Sequence, residues 1–164
     1  VIKRYNIKGY THLLMRLFRK SRAWISWANT FRLEFLGINT LKPVALIEER
    51  IGPLRRRAYF ITQYVEGDDA STLIERKNPD SEVISIAQII KSMKAAGVSH
   101  GDLKASNFLL TEKGAVIIDL DSMEEHSKLR ACRKAQSKDI ERFLLNWSSS
   151  PSLKKRFADL LESS

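Results

Sequence analysis

The chain has 164 residues, 43% of them hydrophobic and 29% charged, which is enough for one domain with a real core. Its single cysteine, Cys132, excludes an internal disulfide and suits a reducing compartment, and no apolar run reaches the roughly 18 residues of a membrane-spanning helix. The net charge of +9 sits in the front third: residues 1–57 hold 13 of the 28 Lys and Arg but 3 of the 19 Asp and Glu, a balance that suits an anionic partner or an ordinary solvated basic face.

Val1-Ile2-Lys3-Arg4-Tyr5 alternates as the end of a strand does. There is no initiator Met and no signal-peptide pattern, so the chain is expected to begin inside a longer protein. Residues 10–36 place Leu13, Leu14, Leu17, Phe18, Trp24, Trp27, Ala28, Phe31 and Phe35 near helical spacing, with a break near Ser21 and a terminating glycine at Gly37. The aromatic and basic stretch 13–27 suits either a membrane interface or a core-facing helix with a solvated basic side. An extended connection covers 38–43. Strands are expected over 44–51 and 57–65, with Gly52-Pro53 as the turn between them. A helix of about 17 residues follows, capped by Asp80 or Ser81, carrying Val83, Ile86, Ala87, Ile90 and Met93 and closing at Gly97. Residues 108–111 and 115–118 flank Glu112-Lys113-Gly114 as a hairpin. A basic helical segment is expected near 124–134, with Cys132 as a small semi-buried helix residue. An amphipathic helix is expected from about Ser137 and a short terminal helix over 152–162. Strands come first and helices later, which reads as an α+β domain.

The stretch that carries chemistry is His100-Gly101-Asp102-Leu103-Lys104-Ala105-Ser106-Asn107, followed twelve residues later by Asp119 at the end of Val116-Ile117-Ile118. It has the form of the kinase catalytic loop H-R-D-L-x-x-x-N and its downstream metal-binding Asp. Phosphoryl transfer needs a carboxylate to orient the attacking hydroxyl, and an Asn and an Asp to hold Mg²⁺ on the phosphates.

On these residues the chain resembles the protein-kinase-like superfamily, and within it the bacterial lipopolysaccharide core kinases, the Kdo and heptose kinase group. Ile118-Asp119-Leu120-Asp121-Ser122-Met123 and the stretch 37–48, from Gly37 to Glu48, add to the likeness. The resemblance implies a two-lobed α+β protein-kinase-like fold with an N-terminally incomplete small lobe. Residues 1–65 would form that lobe and 66–164 the mainly helical large lobe. It implies Asp102 as catalytic Asp, Lys104 as steadying the transferring phosphoryl group, and Asn107 and Asp119 as Mg²⁺ ligands. Lys3 matches the V-A-I-K strand lysine that contacts the phosphates. Gln63 and Val65 fall at the hinge whose backbone would hold adenine. His100 is expected to brace the loop, and Asp139 resembles the helix Asp that supports it from below; a plain helix N-terminal acid is the alternative for Asp139.

The chain departs from that pattern in three places. No glycine-rich loop precedes Lys3. The helix Glu that pairs with the strand lysine would fall near Ser26, and Glu34 lies too close to the helix end. D-F-G becomes Asp119-Leu120-Asp121, so a flipping activation switch is not expected. The resemblance implies an ATP- and Mg²⁺-dependent kinase that phosphorylates a sugar hydroxyl of the lipopolysaccharide core. It also implies an anionic glycolipid substrate (core or lipid A), cytoplasmic location with peripheral contact at the inner membrane, and no nucleic acid. A serine/threonine protein kinase and a nucleotide-binding pseudokinase stay open as alternatives.

Overall fold

A computed structural model describes residues 1–5, 20–52 and 54–162. The helical stretch expected at 10–19 and the turn residue Pro53 lie outside the described residues.

The first sheet has three antiparallel strands in the order β1 (Ile2–Tyr5), β3 (Leu54–Thr62), β2 (Pro43–Ile51). Lys3 and Leu46 both stand opposite Phe60, and Tyr5 stands opposite Ala58, so these side chains share one face. Ile2 and Arg4 take the other face, and Ile2 is left 66% exposed. Helix α1 (Arg22–Phe35) covers the inner face, where Ala23 and Trp27 pack on Ala58, Phe60 and Leu46. Alternation along a short strand therefore turns Lys3 inward. The second strand begins and ends about three residues before its expected span, because the chain reverses at once on Gly52 (φ 58°), leaving Gln63 to Val65 in the following connection.

Ser21 starts α1 by accepting the Trp24 N–H at 3.0 Å while its hydroxyl donates to Glu48 at 2.6 Å. Apolar spacing located this helix but not its buried side. Phe31 and Phe35 face outward (Phe35 is 91% exposed), whereas Ala23, Ser26, Asn29, Thr30 and Leu33 are buried. Three of those five are polar, and each has a partner. Thr30 donates to the Ser26 carbonyl at 2.8 Å, and Ser26 meets the Tyr5 hydroxyl at 2.9 Å. Asn29 reaches across to the chain after Asp119, donating to the carbonyls of Leu120 and Met123 at 2.9 Å each.

The rest of the chain builds one larger core around α2 (Asp80–Ala95), whose apolar stripe Val83, Ile86, Ala87, Ile90 and Met93 is buried as the spacing implied. Pro79 precedes this helix and no side chain caps it; Asp80 lies in its first turn. β4 (Asp68–Asp69), β6 (Phe108–Thr111) and β7 (Gly114–Ile117) form a small sheet, and β5 (Val98–Ser99) pairs with β8 (Glu124–Glu125).

The two helices expected near 124–134 and from Ser137 are one helix, α3 (Leu129–Leu145). No Gly or Pro interrupts it, and its buried stripe Cys132, Gln136, Asp139, Phe143 runs at helical spacing through the supposed break. Asp139 thus lies deep in a helix, and its reading as an N-terminal helix acid fails. α4 (Pro151–Glu162) closes the core with Phe157 against Phe143 (ring centroids 4.9 Å apart) and Trp147 (5.1 Å).

Candidate active site

The loop that begins at His100 is held from below. The Asp139 carboxylate accepts the His100 N–H at 2.6 Å and the Gly101 N–H at 3.1 Å. His100 is 1% exposed; its Nε2 lies 3.0 Å from the Ile118 carbonyl, and its Nδ1 accepts the Asp102 N–H at 3.4 Å. One ring nitrogen must donate and the other accept, which only the neutral ring can do. Burial pushes the imidazole pKa down and so keeps it neutral, against the raising effects of the Ile118 carbonyl and Asp139. Gly101 has φ 77°, and a Cβ there would stand 2.4 Å from the Ser122 carbonyl oxygen. The Arg of the H-R-D pattern has no room here, because the chain after Asp119 passes directly against the loop.

Residues 105–107 form a single 3₁₀ turn, with the Asn107 N–H bonded to the Lys104 carbonyl at 3.0 Å. The turn brings Asn107 back so that its Nδ2 donates to the Asp102 carbonyl at 2.8 Å. That bond fixes the amide and leaves Oδ1 as the atom it can offer a cation. The Asp102 carboxylate meets Lys104 Nζ at 3.2 Å and Arg142 Nη1 at 2.8 Å. Partial burial would raise its pKa, but Lys104 and Arg142 together hold it below the ordinary value, so Asp102 is ionised. Arg142 also donates to the Gly101 carbonyl at 3.1 Å.

Asp119 is the one non-glycine residue with positive φ (63°) among the described residues. This left-handed conformation turns the chain sharply after β7 and aims the carboxylate at Lys3, to which it is hydrogen-bonded. Lys3 also lies 3.6 Å from Asp121, which in turn is 2.7 Å from Arg22 of α1. Burial alone would lower the Lys3 pKa; the Asp119 hydrogen bond and the nearby carboxylates outweigh it and raise it, so Lys3 is an ammonium.

Lys3, Tyr5, Ser26, Thr62, Asn107 and Asp119 line one cleft of about 300 Å³ between the first sheet and the hairpin end. A second, more polar cleft of about 370 Å³ lies against the start of the loop at Gly101, lined also by Ser99, Ser122, Lys138 and Arg142. Of the residues singled out from the sequence, Lys3, Asn107 and Asp119 share the first cleft, and Asp102 with Lys104 sits on the loop that joins them. Gln63 and Val65 are not among its lining. Gln63 is exposed and its N–H is taken by the Lys42 carbonyl at 2.9 Å, which leaves it the carbonyl for any base.

Arg142, Arg22, Asp121 and Asn29 escaped the sequence reading as site residues. Arg142 had a readable signal: it lies three residues after Asp139 on the same helix, so it shares a face with the loop's support. The oxygens of Asn107 and Asp119 suit a hard cation such as Mg²⁺, which needs few protein ligands and takes the rest from phosphate and water.

Several known proteins are similar to this chain. The sequence profile of the lipopolysaccharide kinase (Kdo/WaaP) family matches residues 2–162. Lipopolysaccharide core heptose(I) kinase WaaP of Escherichia coli is 26% identical over 149 residues, which is 82% of this chain and 55% of that protein. RIO-type serine/threonine-protein kinase Rio1 of Haloferax volcanii is 26% identical over 106 residues, 60% of this chain and 33% of that protein. The chain thus spans about half the length of one curated relative and about a third of the other. A solved structure of WaaP in complex with acyl carrier protein superposes with a TM-score of 0.65 over 89% of this chain and 66% of that one, at 20% identity, which establishes the protein-kinase-like fold. With the family profile spanning nearly its whole length, the chain belongs to the lipopolysaccharide kinase (Kdo/WaaP) family.

Proposed function

We propose that this chain carries the catalytic machinery of an ATP- and Mg²⁺-dependent kinase that phosphorylates a sugar hydroxyl, Kdo or heptose, of the lipopolysaccharide core. The observation that carries the reading is the joining of Asp102, Asn107 and Asp119 by one turn and one hairpin end: Asn107 holds the Asp102 backbone at 2.8 Å and lines the same cleft as Asp119. The family assignment supports the substrate class.

In this reading Lys3 contacts the nucleotide phosphates, and Asn107 and Asp119 hold Mg²⁺. The metal, when bound, neutralises charge on the phosphates. The acceptor hydroxyl enters on the Asp102 side of the loop, where Lys138 and Arg142 flank the polar cleft. The ionised Asp102 accepts a hydrogen bond from that hydroxyl and points its oxygen at the γ-phosphorus. The new O–P bond forms as the bond to the bridging oxygen of ADP breaks, and the hydroxyl proton leaves through Asp102. Lys104, already beside Asp102, steadies the phosphoryl oxygens in transit. We further propose a cytoplasmic location at the inner membrane face; the exposed Arg56 and Arg57 and the 59% exposed Ile51 around the β2–β3 turn support contact with an anionic surface.

Similarity to Rio1 favours a second reading, a serine/threonine protein kinase. Transfer of labelled γ-phosphate to Kdo-lipid A or heptosylated core, set against a protein panel, separates the two. Asp102→Ala is expected to lower transfer by about 10²–10⁴-fold, and Asp119→Ala to remove Mg²⁺-dependent nucleotide binding. Label appearing on proteins instead of glycolipid would favour the second reading. Nucleotide binding with no transfer to either would leave a pseudokinase.

A further inference from the structure

We propose that Asp121, anchored by Arg22 of α1, does for Lys3 what a helix-borne glutamate does in protein kinases: it is the carboxylate that keeps the lysine aimed at the nucleotide phosphates. The inference rests on the phosphotransferase reading and adds a positioning pair to it.

A strand lysine that serves phosphates needs a carboxylate partner that is not itself a metal ligand. Lys3 touches two carboxylates. Asp119 is one, but it is the candidate Mg²⁺ ligand, so a nucleotide arriving with its metal would compete for it. Helix α1 supplies no acid at the matching place. Ser26 stands there, lining the cleft and bonded to the Tyr5 hydroxyl at 2.9 Å. Asp121 is the remaining carboxylate, 3.6 Å from Lys3.

Three features fit Asp121 for the task. Its side chain is 3% exposed, and it is absent from the cleft lining to which Asp119 and Leu120 contribute, so it is turned away from the metal position. Arg22 Nη2 lies 2.7 Å from its Oδ2, an ion pair without hydrogen-bond alignment that ties the buried carboxylate to α1. The Tyr5 ring lies beside both cations, its centroid 5.1 Å from Lys3 Nζ and 5.6 Å from the Arg22 guanidinium, and limits where either can go. The polarity of the link between helix and site is therefore reversed. The helix contributes the cation, and the segment after the metal Asp contributes the anion. The same arrangement explains why Asp stands where D-F-G has Gly.

The test measures binding of mant-labelled ADP with Mg²⁺ present, where the metal would claim Asp119 and leave Asp121 to hold Lys3, alongside transfer kinetics and thermal unfolding. Asp121→Asn is expected to weaken mant-ADP binding by about tenfold and to lower kcat/KM. Arg22→Gln, at a side chain 57% exposed, is expected to weaken binding by about threefold. In the decisive variant, Ser26→Glu is added to Asp121→Asn, placing a carboxylate on the helix as protein kinases have it. It is expected to regain most of the lost affinity without regaining the Arg22 contact. A folded Asp121→Asn with wild-type mant-ADP affinity would overturn the proposal, as would a folded double variant with no recovery. If Asp121→Asn does not fold, wild-type affinity in Arg22→Gln overturns it. Failure of the unmodified protein to bind nucleotide at all would bring down the kinase reading itself.

Discussion

At the scale of single residues, the catalytic loop owes its shape to groups that do no chemistry. His100 is neutral and buried because its two nitrogens serve the Ile118 carbonyl and the Asp102 N–H. Its folded pKa lies below the ordinary 6.5, so between the two values the unfolded chain binds the extra proton. The stability it contributes is therefore present above pH 6.5 and is lost as pH falls below it. Urea unfolding at about pH 7.5 and 5.5 is expected to show a lower midpoint at the acid value, with a smaller difference in His100→Asn. The candidate site residues of this loop could be singled out from sequence, because phosphoryl transfer asks for fixed residue types at fixed spacings over eight positions. The residues that hold them were legible only in part. The resemblance marked His100 and Asp139 as supports, whereas Arg142 reaches the loop from about forty positions away and Asn29 reaches the Leu120 and Met123 carbonyls from about ninety. For Asn29 nothing local in the sequence marks a contact of that span.

At the scale of elements, periodicity found helices and misjudged what faces what. In α1 the large apolar residues look like the buried stripe. The sheet and the segment after Asp119 instead require hydrogen-bonding partners, so Ser26, Asn29 and Thr30 turn inward and Phe31 and Phe35 outward. In α3 a serine read as a helix start sits mid-helix, because tertiary contacts on both sides of it, by Gln136 and Asp139, carry the helix through. The aromatic cluster of the larger core was only partly visible: Phe143 and Trp147 fell on one expected helix, but their partner Phe157 belongs to another. Phe157 is fully buried between them, so Phe157→Ala is expected to cost about 3–5 kcal/mol in urea unfolding. A loss under about 1 kcal/mol would mean that α4 does not close the core.

At the scale of the whole molecule, the first sheet and the helical part are tied at a few named points. The Ile117 N–H bonds to the Asn39 carbonyl at 3.0 Å, Thr40 to the Ile117 carbonyl at 2.9 Å, and Asn29 to the chain beyond Asp119. Leu33 and Ile38 join the larger core, so α1 belongs to both halves. The candidate site lies where these ties converge, which is why Lys3 meets Asp119 across 116 positions of sequence. The uneven charge also acts at this scale. Co-sedimentation with anionic vesicles, lost at high salt and absent with neutral vesicles, is the expected result if the basic front meets the inner membrane. Equal binding to both vesicle types would contradict that placement.

The central claim is that this site moves the γ-phosphate of ATP to a sugar of the lipopolysaccharide core. The most direct check is a mass spectrum of purified inner-core glycolipid after incubation with the protein, ATP and Mg²⁺. The account expects the glycolipid to gain the mass of one phosphoryl group on a sugar hydroxyl, with no gain when Asp102→Ala replaces the unmodified protein. Unchanged glycolipid beside nucleotide-bound protein, or an equal gain with Asp102→Ala, would contradict it.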